Sequence, residues 1–271
     1  MSAAPSELGR VDVAGLLGPW AEQAHSTQSR ELFDALTAIE SNDLLRRSLT
    51  DPSRAAEERA ALARRIFGAA LSEPVTGIVE RLTGRTWPTE DAFTEALEAA
   101  AVVVAGFASE RRGGAEGLDA TIDDVLGMQA VLEADPRLQQ SLTDPRAHED
   151  AKLRLMDRVL PSLGEEGRVL AEQSVLGTRA RRPHRVLADW AERLAAVRER
   201  GIARVSHAGS LEPGQTERLR TALSRLYGRD LKIVLDEDRT LVGGLRISVG
   251  DEVIDGSVAA RLNELQSRIR S

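Results

Sequence analysis

Cysteine is absent from this 271-residue chain, which excludes disulfides, thiolate zinc sites and cysteine nucleophiles together and is compatible with a reducing cytoplasm. Aromatic residues make up only 3% of it. Lysine occurs twice, at Lys152 and Lys232, so arginine carries the positive charge; this reads as codon bias in a GC-rich genome. No uninterrupted apolar run approaches the roughly 20 residues of a membrane span, the longest being Ala99 to Ala105. The stretch from Met1 to Gly9 lacks the basic-then-apolar layout of a signal peptide. A formal net charge of -7 argues against a nucleic-acid partner. What is present is 42% hydrophobic and 29% charged residues, enough to bury the core of one large domain or of two to three small ones, which excludes disorder as the main state.

Alanine and leucine dominate from residue 10 to about 200, where β-branched residues are sparse, and such side chains lose little rotamer entropy in a helix. Helices are predicted at 10–26, 28–41, 43–49, 53–70, 73–83, 89–111, 118–134, 136–142, 146–160, 165–176 and 183–200. This region repeats itself. Glu31 to Gly68 matches Asp124 to Pro161 at a constant offset of 93 residues, anchored by an identical SLTDP at Ser48–Pro52 and Ser141–Pro145. Around the anchor Ile39 answers Leu132, Leu45 answers Leu138, Leu62 answers Leu155, Arg65 answers Arg158 and Ile66 answers Val159. A chance likeness between leucine-rich helices would not hold register so long, so duplication is the reading. Asp51-Pro52 and Asp144-Pro145 are expected to end one helix and begin the next, with Asp as cap and Pro in the first turn. The run Arg111 to Gly117 is the expected flexible joint.

Near Gly201 the texture changes to short alternating segments. Strands are predicted over 202–207, 231–236 and 245–249, an amphipathic helix over 212–227 with Leu219, Leu223 and Leu226 on one side, and a hairpin turning at Gly250-Asp251 into 252–254. Ser257 can cap a last helix with Val258, Leu262, Leu265 and Ile269 on one stripe. The fold class is therefore mainly α with a small α/β C-terminal domain. Its expected domains are 1–112 and 113–201, two helical bundles that can share helix 89–111, and 202–271.

Chemistry finds little footing. His25, His148, His184 and His207 are scattered, and His148-Glu149-Asp150 lacks the second histidine of a zinc helix, so neither metal site nor cofactor is expected. Gly243-Gly244 has no phosphate-loop context and reads as a bend before a strand. Glu252 and Asp255 form a solvated turn more readily than an acid pair, and no nucleophile elbow occurs. Arg179, Arg181, Arg182 and Arg185 read as a solvated helix entry. Trp20, Trp87 and Trp190 are core residues or interface anchors.

The run from Gly243 to Ile269 resembles the signature of the delta subunit of F-type ATP synthase, the family of the mitochondrial oligomycin-sensitivity-conferring protein. The matching residues are Gly244, Gly250, Asp251, Val253, Ile254, Asp255, Gly256, Ser257, Arg261 and Leu262. The chain departs from the family's usual plan by carrying the helical bundle twice. The resemblance implies a non-catalytic stator subunit of a proton-translocating ATP synthase, peripheral to the cytoplasmic face of the bacterial cell membrane. In the family the bundle takes up N-terminal helices of the alpha subunits on the catalytic head, and the C-terminal domain holds the C-terminal end of the b subunit. On that basis Leu262, Leu265 and Ile269 are expected to face b, unless they only close the small domain's core. Val13, Leu16, Leu17 and Trp20, beside Val11, are expected to wall a groove in the bundle. Two alternatives are a helical adaptor for another amphipathic partner and an enzyme using the Gly243–Asp255 hairpin as a nucleotide site.

Overall fold

A computed structural model describes residues 12–177, 183–200, 202–208, 213–227, 231–238, 241, 243–249 and 252–255. The chain forms two compact units, residues 1–194 and 195–271. Helices dominate the first: α1 (Val13–Leu16), α2 (Ser26–Glu40), α3 (Asp43–Thr50), α4 (Ala56–Phe67), α5 (Glu73–Thr83), α6 (Glu90–Ala134), α7 (Pro136–Thr143), α8 (Glu149–Val159) and α9 (Glu165–Leu176), followed by α10 (Pro183–Arg200). The second unit holds β1 (Ile202–His207), α11 (Pro213–Tyr227), β2 (Lys232–Glu237), β3 (Leu245–Val249) and β4 (Glu252–Asp255). The fold is mainly α with a small α/β C-terminal part.

The 93-residue offset is visible in the caps. Asn42 accepts a hydrogen bond from Leu45 N at 3.0 Å to open α3, and Asp135 accepts one from Leu138 N at 3.1 Å to open α7. Each satisfies a backbone donor that the first helical turn leaves unpaired. One turn on, Leu49 and its counterpart Leu142 are both buried. After these helices Asp51 accepts from Ser53 N and Asp144 from Arg146 N, each at 2.9 Å. These are Asx turns, which corrects the expected capping. The aspartates bind two residues ahead, so α4 starts only at Ala56 and α8 at Glu149.

Two further expectations are corrected. The helix predicted over 10–26 is one α turn followed by a 3-10 segment, Gly18–Gln23. Pro19 has no N–H to continue the α ladder, which therefore stops at Leu17. The joint predicted at 111–117 is helical apart from Gly114, whose φ of 62° and ψ of -154° suit glycine alone. Segments 90–113 and 115–134 thus meet at a single-residue corner. Ser109 Oγ donates to Gly117 O at 3.1 Å and bonds the Thr121 hydroxyl, contacts that a straight helix would hold more than 10 Å apart. A Cβ at Gly117 would lie 2.6 Å from Ser109 O, so glycine lets the two limbs close. The first limb ends repeat 1 and the second opens repeat 2. Its apolar stretch is long enough to cross a membrane by length and composition, but 89% of that window is buried inside the protein, as in a core helix.

In the second unit the sheet order is β2-β1-β3-β4, with β1 parallel to β2 and the remaining pairs antiparallel. Ala203, Val205, Ile247 and Val249 face α11, which contributes Leu223 with Leu219 and Tyr227 beside it. Leu226, predicted on that stripe, is 65% exposed, because the helix turns Tyr227 inward instead.

Candidate binding surfaces

The helical unit is held by charged and polar groups that link its repeats. Arg30 pairs with Glu172 at 2.5 Å, Ser26 bonds Glu165, and Arg112 pairs with the buried Glu166 in the first turn of α9. Phe33 meets Trp190 with ring centroids 5.4 Å apart. The face of α2 is thus covered by α9 and α10 of the other repeat, and Trp190 is a core residue at 2% exposure.

A carboxylate also reaches across each repeat to cap a helix, a device that sequence periodicity did not reveal. Glu31 accepts from Ser72 N at 2.8 Å and from Ser72 Oγ at 2.6 Å, at the start of α5. Its counterpart Asp124 accepts from Gly164 N at 2.8 Å, at the start of α9. Burial pushes the Asp124 carboxyl above the usual range, the Gly164 amide pulls it down, and neighbouring Asp123 adds a further upward push. A Cβ on Gly167 would overlap that carboxylate, which explains the glycine in the first turn of α9. The signal for this cap was available in the sequence: an acid on one helix at the same repeat position in both copies.

Of the residues expected to wall a groove, Val13 and Leu17 are buried and anchor the first segment to the core, while Leu16 and Trp20 are half-buried. The Trp20 ring lies beneath the Arg81 guanidinium, 5.6 Å from its centroid, and above Gly77, where a Cβ would come within 3.6 Å of it. Trp87 donates to Leu82 O at 2.8 Å and packs on Phe93. Val11 and the arginines at 179, 181 and 182 lie outside the described residues.

Of the signature residues, Gly244 has φ 86°, the bend that starts β3. Asp255 pairs with Arg246 at 3.6 Å across the β3–β4 hairpin, whose register joins the same two residues. Gly250, Asp251, Gly256, Ser257, Arg261, Leu262, Leu265 and Ile269 lie outside the described residues. Among the described residues no group of three His, Asp or Glu side chains is placed to hold a metal.

The profile of the ATP synthase delta (OSCP) subunit matches residues 101–269, which takes in the second repeat and the sheet. The chain belongs to this family. It is 38% identical over 250 residues to ATP synthase subunit delta of Kocuria rhizophila, covering 92% of this chain and 93% of that one. To ATP synthase subunit delta of Arthrobacter sp. strain FB24 it is 37% identical over 246 residues, 89% and 90% of the two chains. A chain of the Toxoplasma gondii mitochondrial ATP synthase hexamer matches 56% of this chain and 87% of its own at 16% identity and TM-score 0.31, a likeness too loose to bear on the fold. The bacterial alignments are too long to omit repeat 1, so this delta-family chain shares its long form with named delta subunits. It is a peripheral-stalk subunit of the membrane-associated F-type ATP synthase and not a catalyst, which removes the adaptor and nucleotide-site alternatives.

Proposed function

We propose that this delta-family chain ties the catalytic head to the b subunit, taking up N-terminal helices of alpha subunits on its helical unit and the C-terminal end of b on its small unit. The observation that carries the reading is the division into two separately cored units within one family match. Two sites on one chain make the second contact intramolecular, so modest affinities combine into firm retention without catalysis. The chain resists rotation of the head, and torque then goes into nucleotide chemistry in its partners. It does so from the cytoplasmic face of the bacterial cell membrane. By descent we divide it into 1–112, 113–201 and 202–271, two copies of one bundle and the sheet domain.

Within the helical unit, Leu16 and Trp20 supply the receiving edge, because Val13 and Leu17 serve the core beneath them. An amphipathic helix docks on such an edge through apolar anchors at i, i+3, i+4 and i+7. Leu262, Leu265 and Ile269 hold b. Calorimetric titration of the full chain with a peptide of the alpha N-terminus tests the reading. Micromolar binding that weakens about tenfold, roughly 1.4 kcal/mol, in Leu16→Asp supports it. No heat with either the alpha peptide or a peptide of the b C-terminus overturns it.

A further inference from the structure

The two repeats meet head to tail, and such an interface always leaves one copy of its receiving face uncovered. In repeat 1 that face is on α2, where Ser26, Arg30 and Phe33 are covered by α9 and α10 and Ser29 beside them donates to Ala101 O of α6. Adding the repeat offset places its counterpart on the second limb of α6, at Asp119, Ile122, Asp123 and Leu126. Phe33 is 3% exposed, whereas Leu126 is 44% exposed. Ile122, Leu126 and Ala130 follow one another at helical spacing, and beside them is exposed Gly127, where a Cβ would meet nothing within 4 Å. A partner helix can therefore approach closely.

The changes between the two faces say what that partner is. Ser26 and Arg30 receive Glu165 and Glu172, but both counterparts are aspartates. A second copy docked in the same way would set Asp119 against Glu165 and Asp123 against Glu172, and like charges in contact reject a wrong partner. Open-ended polymerisation is thereby blocked. Every charged residue in 115–134 is acidic, namely Glu116, Asp119, Asp123, Asp124 and Glu133.

We infer that the Ile122–Leu126 face is a docking site for a basic amphipathic helix of another protein, one with an apolar anchor over Leu126 and Arg or Lys opposite Asp123. This site rests on the stalk reading only in that the chain must be incorporated in the complex for its partner to be met. The chain has no cysteine, so Gly127→Cys labelled with a benzophenone maleimide carries a single photocrosslinker. Purified ATP synthase containing this chain is irradiated, and the adduct is mapped by mass spectrometry. An adduct on a helical segment with Arg or Lys beside an apolar stripe is expected. Its yield should fall at least tenfold in Leu126→Lys, and also in Asp123→Lys, both exposed changes that leave the fold intact by circular dichroism. An adduct with a second copy, an adduct with a segment lacking basic residues, or no adduct from incorporated chain overturns the inference. Failure to incorporate strikes instead at the stalk reading, so the two failures are distinguishable.

Discussion

Arg59 and Lys152 occupy the same position in the two repeats, and their surroundings differ sharply. Arg59 is 3% exposed, and its guanidinium donates to the backbone oxygens of Asp51, Arg54, Thr83, Gly84 and Arg85 at 2.6–3.3 Å. It thereby satisfies the carbonyls left unpaired at the end of α5 together with those of the SLTDP turn. Lys152 is half-exposed. The difference extends to whole helices: α4 buries Arg59, Ala63 and Phe67, but its counterpart α8 buries Met156 alone. The better-packed copy is thus the one lying mostly outside the family profile. An added repeat here is no decayed passenger, since it carries more of the unit's core than the repeat it adjoins.

The sharpest challenge to that comparison is the matched pair Arg59→Ala and Lys152→Ala. The first removes five hydrogen bonds, leaving only Asp51 O with another donor, Arg54 N, and is expected to cost about 3 kcal/mol in urea unfolding, against about 0.5 kcal/mol or less for the second. Equal losses would remove the asymmetry. Gly114→Ala, at the corner between repeats, is expected to cost about 2 kcal/mol, because a side chain there is strained whatever space surrounds it. Gly167→Ala follows at about 1–2 kcal/mol from crowding Asp124. Part of that loss should return in Gly167→Ala/Asp124→Ala, whereas two independent sites would simply add.

The smallest effects are pH-dependent and run in opposite directions. Asp51 and Asp144 are held below the ordinary 3.8 by hydrogen bonds from Ser53 and Arg146. A depressed folded-state value means that the stabilisation is present above 3.8 and is lost as pH falls through the folded value. The midpoint difference between wild type and Asp51→Asn or Asp144→Asn should therefore vanish in strong acid. Asp124 is raised by burial, so the folded state binds its proton more tightly and stability declines as pH rises from 3.8 through the folded value. In Asp124→Asn that decline should flatten. Thermal melts from about pH 1 to 6, through and below the ordinary carboxylate range, read all three variants.

Much of the helical unit was legible because its signals are local. Asn42, Asp135 and the apolar spacing set α3 and α7 within one residue of the prediction, and Pro19 was there to break the first helix. The corner of α6 was not. Gly113, Gly114 and Gly117 look like a linker by propensity, and only the return of Thr121 onto Ser109 makes them a tight reversal. Arg59 was illegible for a similar reason, since its five acceptors come from two separate turns. For the proposed groove wall, the sequence identified an apolar excess around Val13 to Trp20 but could not apportion it between core and surface. That depends on α6, which packs against the segment, and on Arg81 and Gly77 of α5 around Trp20, all supplied from far along the chain.

The corner at Gly114 bears on how such a chain can be lengthened or shortened. On the proposed division into two bundles, the limb 90–113 closes the first and stands where the second needs its first helix, so the unit of growth is five helices and not six. A truncation at residue 112 would strip the second repeat of a wall, whereas one that begins at Glu90 would leave it whole. Additional copies could be spliced in only by reusing such a limb at every join, each join demanding its own glycine corner.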